Sequence, residues 1–174
     1  MNGEGTAAFT IRPARAADLP AIRAIYGHHV ENGFASFEEV APTLDEMRRR
    51  FDALQAGGFP YLVAVDDDGA VAGYAYLGSY RPRSAYRFTV EDSVYVDPVR
   101  TGRGAGRVLL AGLIAAARER GYREIIAVIG DSANTGSIGL HQALGFAPVG
   151  VLRNVGFKKG RWLDSVLMQL SLPA

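Results

Sequence analysis

The sequence predicts an α/β protein built on one mixed sheet (an α+β arrangement), in a single domain spanning residues 9–172. Three observations carry this. The chain has 174 residues, the size of one domain. Its periodic segments run β-α-α-β-β-β-α-β-α-β-β, which is the order of a mixed sheet with helices. One strand, Glu124–Ile129, is a nearly continuous apolar run, as expected of a buried parallel strand.

Each element has its own local signal. Phe9–Arg12 alternates and reads as the first strand. Asp18 precedes a helical pattern of Leu19, Ile22, Ile25 and Tyr26, with Pro20 in the first turn, and the pattern fades at Asn32-Gly33. A short loop carries Phe34 and Phe37. Thr43-Leu44-Asp45-Glu46 has the form of a capping box and opens a second helix to about Gln55, ended by Gly57-Gly58. Tyr61–Val65 and Val71–Gly78 form a hairpin around the turn Asp66–Gly69. Tyr80–Arg87 is a basic, aromatic loop. Thr89–Val96 alternates strongly and stops at Asp97-Pro98. A long helix runs from Gly104 to about Arg120, with Leu109, Leu110, Leu113, Ile114 and Ala117 on one side and Gly121 as its stop. After the apolar strand come a short helix, Asn134–Leu144, and two final strands, Val149–Val155 and Trp162–Leu170.

Composition excludes several functions. Lys plus Arg is 19 and Asp plus Glu is 18, so the net charge of +1 gives no global field for nucleic acid or a membrane surface. The chain has no cysteine, which removes disulfides, thiolate metal sites and a Cys nucleophile. The N-terminal residues Met1–Thr6 have neither a basic start nor an apolar run, so no signal peptide is expected. The longest apolar stretch, Val108–Ala117, is bounded by Arg107 and Arg118 and is half the length of a membrane span, which needs about 20 residues. A soluble, cytoplasmic protein is the expectation. Glycine is the unusual component, at 21 residues where an average chain of this length has about 12.

Part of that glycine has a local use. The strand ending at Val96 leads through Arg100-Thr101-Gly102-Arg103-Gly104-Ala105-Gly106-Arg107 into the long helix. Three glycines at alternate positions allow a phosphate to approach the backbone. The helix start adds free N–H groups and the positive end of the dipole. Four Arg and no acid lie between Pro98 and Arg118, so a local anion site is expected. A P-loop requires Gly-Lys-Ser/Thr, which is absent. A G-x-G-x-x-G fingerprint fails because its last glycine falls on Arg107 or Leu109.

Val94-Tyr95-Val96 followed by Gly102–Gly106 resembles the acetyl-CoA loop of the GNAT superfamily of N-acetyltransferases. The family pattern is Gln/Arg-x-x-Gly-x-Gly/Ala; aligned on Gly104 and Gly106, its first position is Thr101, a departure. The resemblance covers Ile11 to about Leu170 and includes Asn134 and Leu140–Phe146. Arg87–Val96, Val128–Gly130, Leu140-His141 and Gly156–Trp162 are similar to the branch that acetylates the α-amino group of phosphinothricin, methionine sulfoximine or methionine sulfone. The resemblance implies the GNAT-type acyl-CoA N-acyltransferase fold, acetyl-CoA as co-substrate, no metal, and a homodimer with the loop around Arg81 and Arg83 near the partner.

The chemistry of acetyl transfer then selects residues. A free α-amino group has a pKa of about 7.7–8.0, so a modest base is enough to take its proton. Strand alternation puts Thr89, Glu91, Ser93 and Tyr95 on one face and Val90, Asp92, Val94 and Val96 on the other. Glu91 stands where the branch has its base, with Asp92 as the rival carboxylate. His141 stands where many members have a tyrosine acid. An acid for the leaving thiolate, a relay, support for Glu91 and a structural role are all open to it. His28 and His29 are helix neighbours pointing in different directions, so they do not chelate a metal. The resemblance assigns the cofactor to Val94, Tyr95, Val96, Gly102, Arg103, Gly104, Ala105, Gly106 and Arg107. Within that set the N–H of Val96 serves the carbonyl oxygen that gains charge. It places Asn134 beside the pantetheine arm, although simple helix capping explains that residue equally well.

For the acceptor, Arg81 and Arg83 suit a carboxylate, and Phe37 and Tyr86 an apolar wall. Most of Lys158, Lys159 and Arg161 read as ordinary hairpin charges. Two other functions stay open: an N-acetyltransferase of a peptide N-terminus or a polyamine, and a non-catalytic acyl-CoA-binding regulatory module. Polyamines favour an acidic pocket, against the Arg-rich loop, and Glu91 argues against the module. A serine hydrolase lacks its Gly-x-Ser-x-Gly elbow.

Overall fold

The computed structural model describes residues 9–173. Seven strands form one sheet in the order β1-β2-β3-β4-β5-β7-β6. They are β1 (Thr10–Pro13), β2 (Tyr61–Val65), β3 (Val71–Ser79), β4 (Thr89–Val96), β5 (Glu124–Gly130), β6 (Ala147–Lys158) and β7 (Arg161–Ser171). Four α-helices accompany them: α1 (Leu19–Asn32), α2 (Leu44–Ala56), α3 (Ala105–Glu119) and α4 (Thr135–Ala143). The order of elements is the one the sequence predicts.

Each face of the sheet has its own core. On one, Leu109, Leu110 and Leu113 of α3 pack on Leu77, Val90, Ile125 and Met168. On the other, Leu19, Ile22 and Val30 of α1 and Phe51 of α2 pack on Tyr61, Val63 and Tyr74. The α2 start is half a capping box. Thr43 accepts the Glu46 N–H at 3.2 Å, while the Glu46 carboxylate turns to Arg49 and Arg50.

The central feature is where the sheet parts. β4 and β5 are its parallel pair, and their register runs from Thr89↔Glu124 only to Asp92↔Ala127. Beyond that point β4 stays with β3 as far as Gly73↔Val96, while β5 stays with β7 as far as Gly130↔Ser165. The parting explains a departure from the expected buried strand: Val128 is 41% exposed, because its β4 neighbour has gone. The last two strands are longer than their apolar patterns suggest. β6 is an edge strand with mostly exposed residues, so alternation does not mark its ends.

Candidate active site

The gap between β4 and β5 opens into a cleft of about 930 Å³. Three pieces of chain close around it: the glycine loop with the start of α3, the start of α4, and the loop after α1.

The glycine loop forms as its sequence requires. Gly102 has φ 74° and Gly104 φ 94°, a left-handed region that a side chain disfavours. Gly104 caps α3, and the first helical hydrogen bond is Val108 N–H to Gly104 C=O at 3.1 Å. The N–H groups of Ala105, Gly106 and Arg107 are therefore without helical partners, and all three residues line the cleft. The expected cation excess is smaller than the count of arginines implies. Arg100 is held by Asp66 at 2.9 Å and Asp97 at 2.6 Å, and Arg118 lies in the last turn of α3. Arg103 is exposed and outside the cleft lining, so Arg107 is the loop arginine left facing it. Thr101 lines the cleft, but its hydroxyl donates to Pro98 C=O at 3.2 Å.

The open end of β4 presents backbone groups. Asp97 N–H bonds Ala72 C=O at 2.9 Å, which makes Gly73↔Val96 a non-hydrogen-bonded pair. Val94 and Val96 therefore turn their N–H and C=O groups away from β3 and into the gap. His29 of α1 is within 2.8 Å of the Val96 carbonyl through Nε2 and donates to it, which replaces the strand partner that carbonyl has lost. Tyr95 lies on the other face, edge-on to Tyr26 at 5.0 Å.

The two carboxylates of β4 have separate environments. Glu91 is half-buried in the cleft wall, and burial, with Asp92 adding to it, pushes its carboxyl above the ordinary value. Asp92 faces the opposite side, where its Oδ2 is 2.9 Å from Nε2 of His141 and its Oδ1 is buried without a partner. His141 is 3% exposed, and its Nδ1 lies 2.7 Å from the Ser137 carbonyl. Burial pulls its pKa down, but the Asp92 hydrogen bond and charge outweigh this and the net direction is up. Acceptors at both ring nitrogens suit the doubly protonated ring. His141 thus pairs with Asp92, a partner 49 positions away that no spacing announces, rather than with Glu91.

Asn134 caps α4, accepting the Ser137 N–H at 3.2 Å, and also lines the cleft. Phe37 lines it too. Arg81, Arg83 and Tyr86 do not. They border a separate hollow of about 240 Å³ with Pro82, and Arg81 stacks on Tyr80 at 5.2 Å. Their loop leaves β3 at Ser79 and enters β4 at Thr89, and its aromatic packing, Tyr80 against Tyr86 at 5.7 Å, keeps these side chains together. Sequence reasoning missed His29, Ser36, Ser137 and Asp131 as cleft residues; none belongs to a motif. Among the described residues no group of three or more His, Asp or Glu gathers as a metal site, and no helix is long and apolar enough to cross a membrane.

A sheet that parts beside a glycine-capped helix start with unpaired N–H groups defines a class. The acetyltransferase (GNAT) domain matches residues 11–167, and the chain belongs to the GNAT acetyltransferases, which take their acetyl group from acetyl-CoA. Within that class it is 58% identical to the phosphinothricin N-acetyltransferase of Alcaligenes faecalis, over 96% of this chain and 84% of that one. It is 47% identical to an L-methionine sulfoximine/L-methionine sulfone acetyltransferase of Pseudomonas paraeruginosa, over 94% of each chain. Its fold matches the crystal structure of a phosphinothricin acetyltransferase from Sinorhizobium meliloti in complex with acetyl-CoA. There the TM-score is 0.91 and the identity 48%, covering 94% of this chain and 88% of that one.

Proposed function

We propose that this protein transfers the acetyl group of acetyl-CoA directly to the α-amino group of a small amino acid or analogue of the phosphinothricin, methionine sulfoximine or methionine sulfone type. The observation that carries the reading is Glu91, a carboxylate with a raised pKa in the wall of the cleft where β4 and β5 part. A base with a pKa nearer neutrality takes a proton from an ammonium more readily than an ordinary glutamate does.

The steps follow from the walls. The glycine loop and the free N–H groups of Ala105, Gly106 and Arg107 hold the pyrophosphate, and the arm of the cofactor lies along the open edge of β4. Glu91 takes a proton from the acceptor ammonium. The amine nitrogen attacks the thioester carbonyl, whose oxygen gains charge opposite the Val96 N–H. The C–S bond breaks as the N–C bond is completed, and the second proton of the nitrogen goes to the leaving thiolate. His141, with both ring nitrogens held by Asp92 and the Ser137 carbonyl, braces β4 beside the site. A reaction that consumes acetyl-CoA takes place where that thioester is made, in the cytoplasm.

A homodimer completes the acceptor site in this reading. The edge strand β6 and its hairpin expose Val149, Val151, Leu152, Val155, Phe157 and Trp162, from 42% at Val151 to 64% at Trp162, an apolar surface a second copy would cover. Arg81 and Arg83, outside their own chain's cleft, are then available to bind the acceptor carboxylate in the partner's site.

The test is thiol release from acetyl-CoA with phosphinothricin, methionine sulfoximine, methionine sulfone, free amino acids and spermidine side by side. Turnover with the first three is expected. Turnover with spermidine but not methionine sulfone would overturn the acceptor. Acetyl-CoA binding without turnover on any amine would leave a binding module.

A further inference from the structure

We infer that the tip of the β6–β7 hairpin is a latch that sets the acceptor wall of the cleft from behind, with Lys158 as its central positioning residue. This rests on the proposed function, with Phe37, which lines the cleft, as part of the acceptor wall.

Lys158 is the most unexpected group in the molecule. Its side chain is 2% exposed, although an ammonium is costly to bury without compensation. It does not line the cleft. Its ammonium donates to the Ser36 carbonyl at 2.7 Å, across 122 positions of sequence. Burial holds it below the ordinary lysine value, Lys159 adding to this and Glu39 and Glu38 opposing. Ser36 is fixed from its other side as well. Its hydroxyl is 2.9 Å from the Tyr26 hydroxyl and accepts the Glu38 N–H at 3.2 Å.

The rest of the hairpin tip grips the same loop. Lys159 donates to the Glu31 carbonyl at the end of α1, and the Arg161 guanidinium covers the Phe34 ring at 4.5 Å. Gly156 lies against Phe37 so closely that a Cβ would sit 2.5 Å from the ring. The opposite side of that ring meets Gly130, where a Cβ would come within 3.0 Å. Phe37 is thus wedged between two strands that carry no side chain at the contact, and Lys158 holds the backbone one residue before it. Moving the hairpin moves Phe37, and the position of Phe37 sets the size of acceptor side chain the cleft takes. The three hairpin cations, most of them expected to be ordinary turn charges, therefore have a common object.

Lys158→Met keeps the length and apolar stem and removes the donor. Hydrogen exchange at the amides of residues 33–38 in the free protein is the first readout, and about tenfold faster exchange is expected. In methionine sulfone acetylation the acceptor KM is expected to rise about tenfold with the acetyl-CoA KM unchanged. Gly156→Ala pushes Phe37 directly and is expected to give the same split. Phe37→Ala in that background is expected to add much less than it does alone. Unchanged exchange in the loop, equal rises in both KM values, or additive Gly156 and Phe37 effects would each overturn the latch. Exchange needs no acceptor, so it decides the latch even if the wild-type enzyme acetylates none of these amino acids.

Discussion

The two walls of the cleft are built by opposite means. The wall proposed for the cofactor is a single run of chain, from Val94 to Arg107, and it offers mainly peptide groups: the open edge of β4, two left-handed glycines and the first N–H groups of α3. The wall proposed for the acceptor is an assembly of side chains from β4, the loop after α1 and α4, backed by the β6–β7 hairpin through contacts spanning up to 128 positions. A wall of backbone tolerates changes in side chains but not in backbone angles. A wall of side chains responds to each substitution according to what it touches. The two walls should therefore fail in separable ways.

The largest separation is expected at Glu91. Glu91→Gln keeps the shape and removes the proposed base, so kcat should fall by about 10²–10³-fold while acetyl-CoA binding by calorimetry is unchanged. The pH profile sharpens this. As the proposed base Glu91 would work only when ionised, and burial with the adjoining Asp92 charge raises its pKa above the ordinary glutamate value. Wild-type kcat/KM should thus climb as pH rises through that raised value. The variant should lose this step and keep only the step of the acceptor amine, at about 7.7–8.0. A variant with the full rate would remove Glu91 as the base.

The opposite wall breaks at Gly104. A Cβ there meets nothing within 4 Å, so Gly104→Ala has a purely conformational cost at φ 94°, about 1–3 kcal/mol. The loop can escape that strain by rotating, which turns the N–H groups out of the cleft. The acetyl-CoA KM should rise about tenfold with the acceptor KM unchanged, the reverse of the Lys158→Met split. Equal rises in both constants would mean that the walls are not independent.

The same contrast explains what was legible beforehand. The cofactor wall is local, and its turns and helix cap depend on residue types that declare themselves: Gly102, Gly104 and the stop at Asp97-Pro98 could be read directly. So could Glu91, because strand alternation fixes its face. His141 was visible as a candidate, but not its partner, since nothing in sequence links a helix histidine to an aspartate on another element. Lys158 looked like a turn charge because burial is a property of the folded packing. Arg100 shows the converse, a motif cation already neutralised by Asp97 and by Asp66 from the β2–β3 turn.

The smallest effect is expected at Thr101, where the chain departs from the Gln/Arg of its family. If that position worked through its side chain, Thr101→Ala would weaken acetyl-CoA binding. In this fold the hydroxyl is already committed to Pro98 C=O at 3.2 Å, in an exposed turn, and the donors proposed to meet the phosphate are the N–H groups that follow it. Removing the hydroxyl leaves those donors and the glycine angles as they are. The acetyl-CoA KM in Thr101→Ala should stay within about twofold of wild type, since an exposed hydrogen bond contributes little net stability. A tenfold rise would show that this wall depends on a side chain after all, and the contrast between the two walls would then be one of degree.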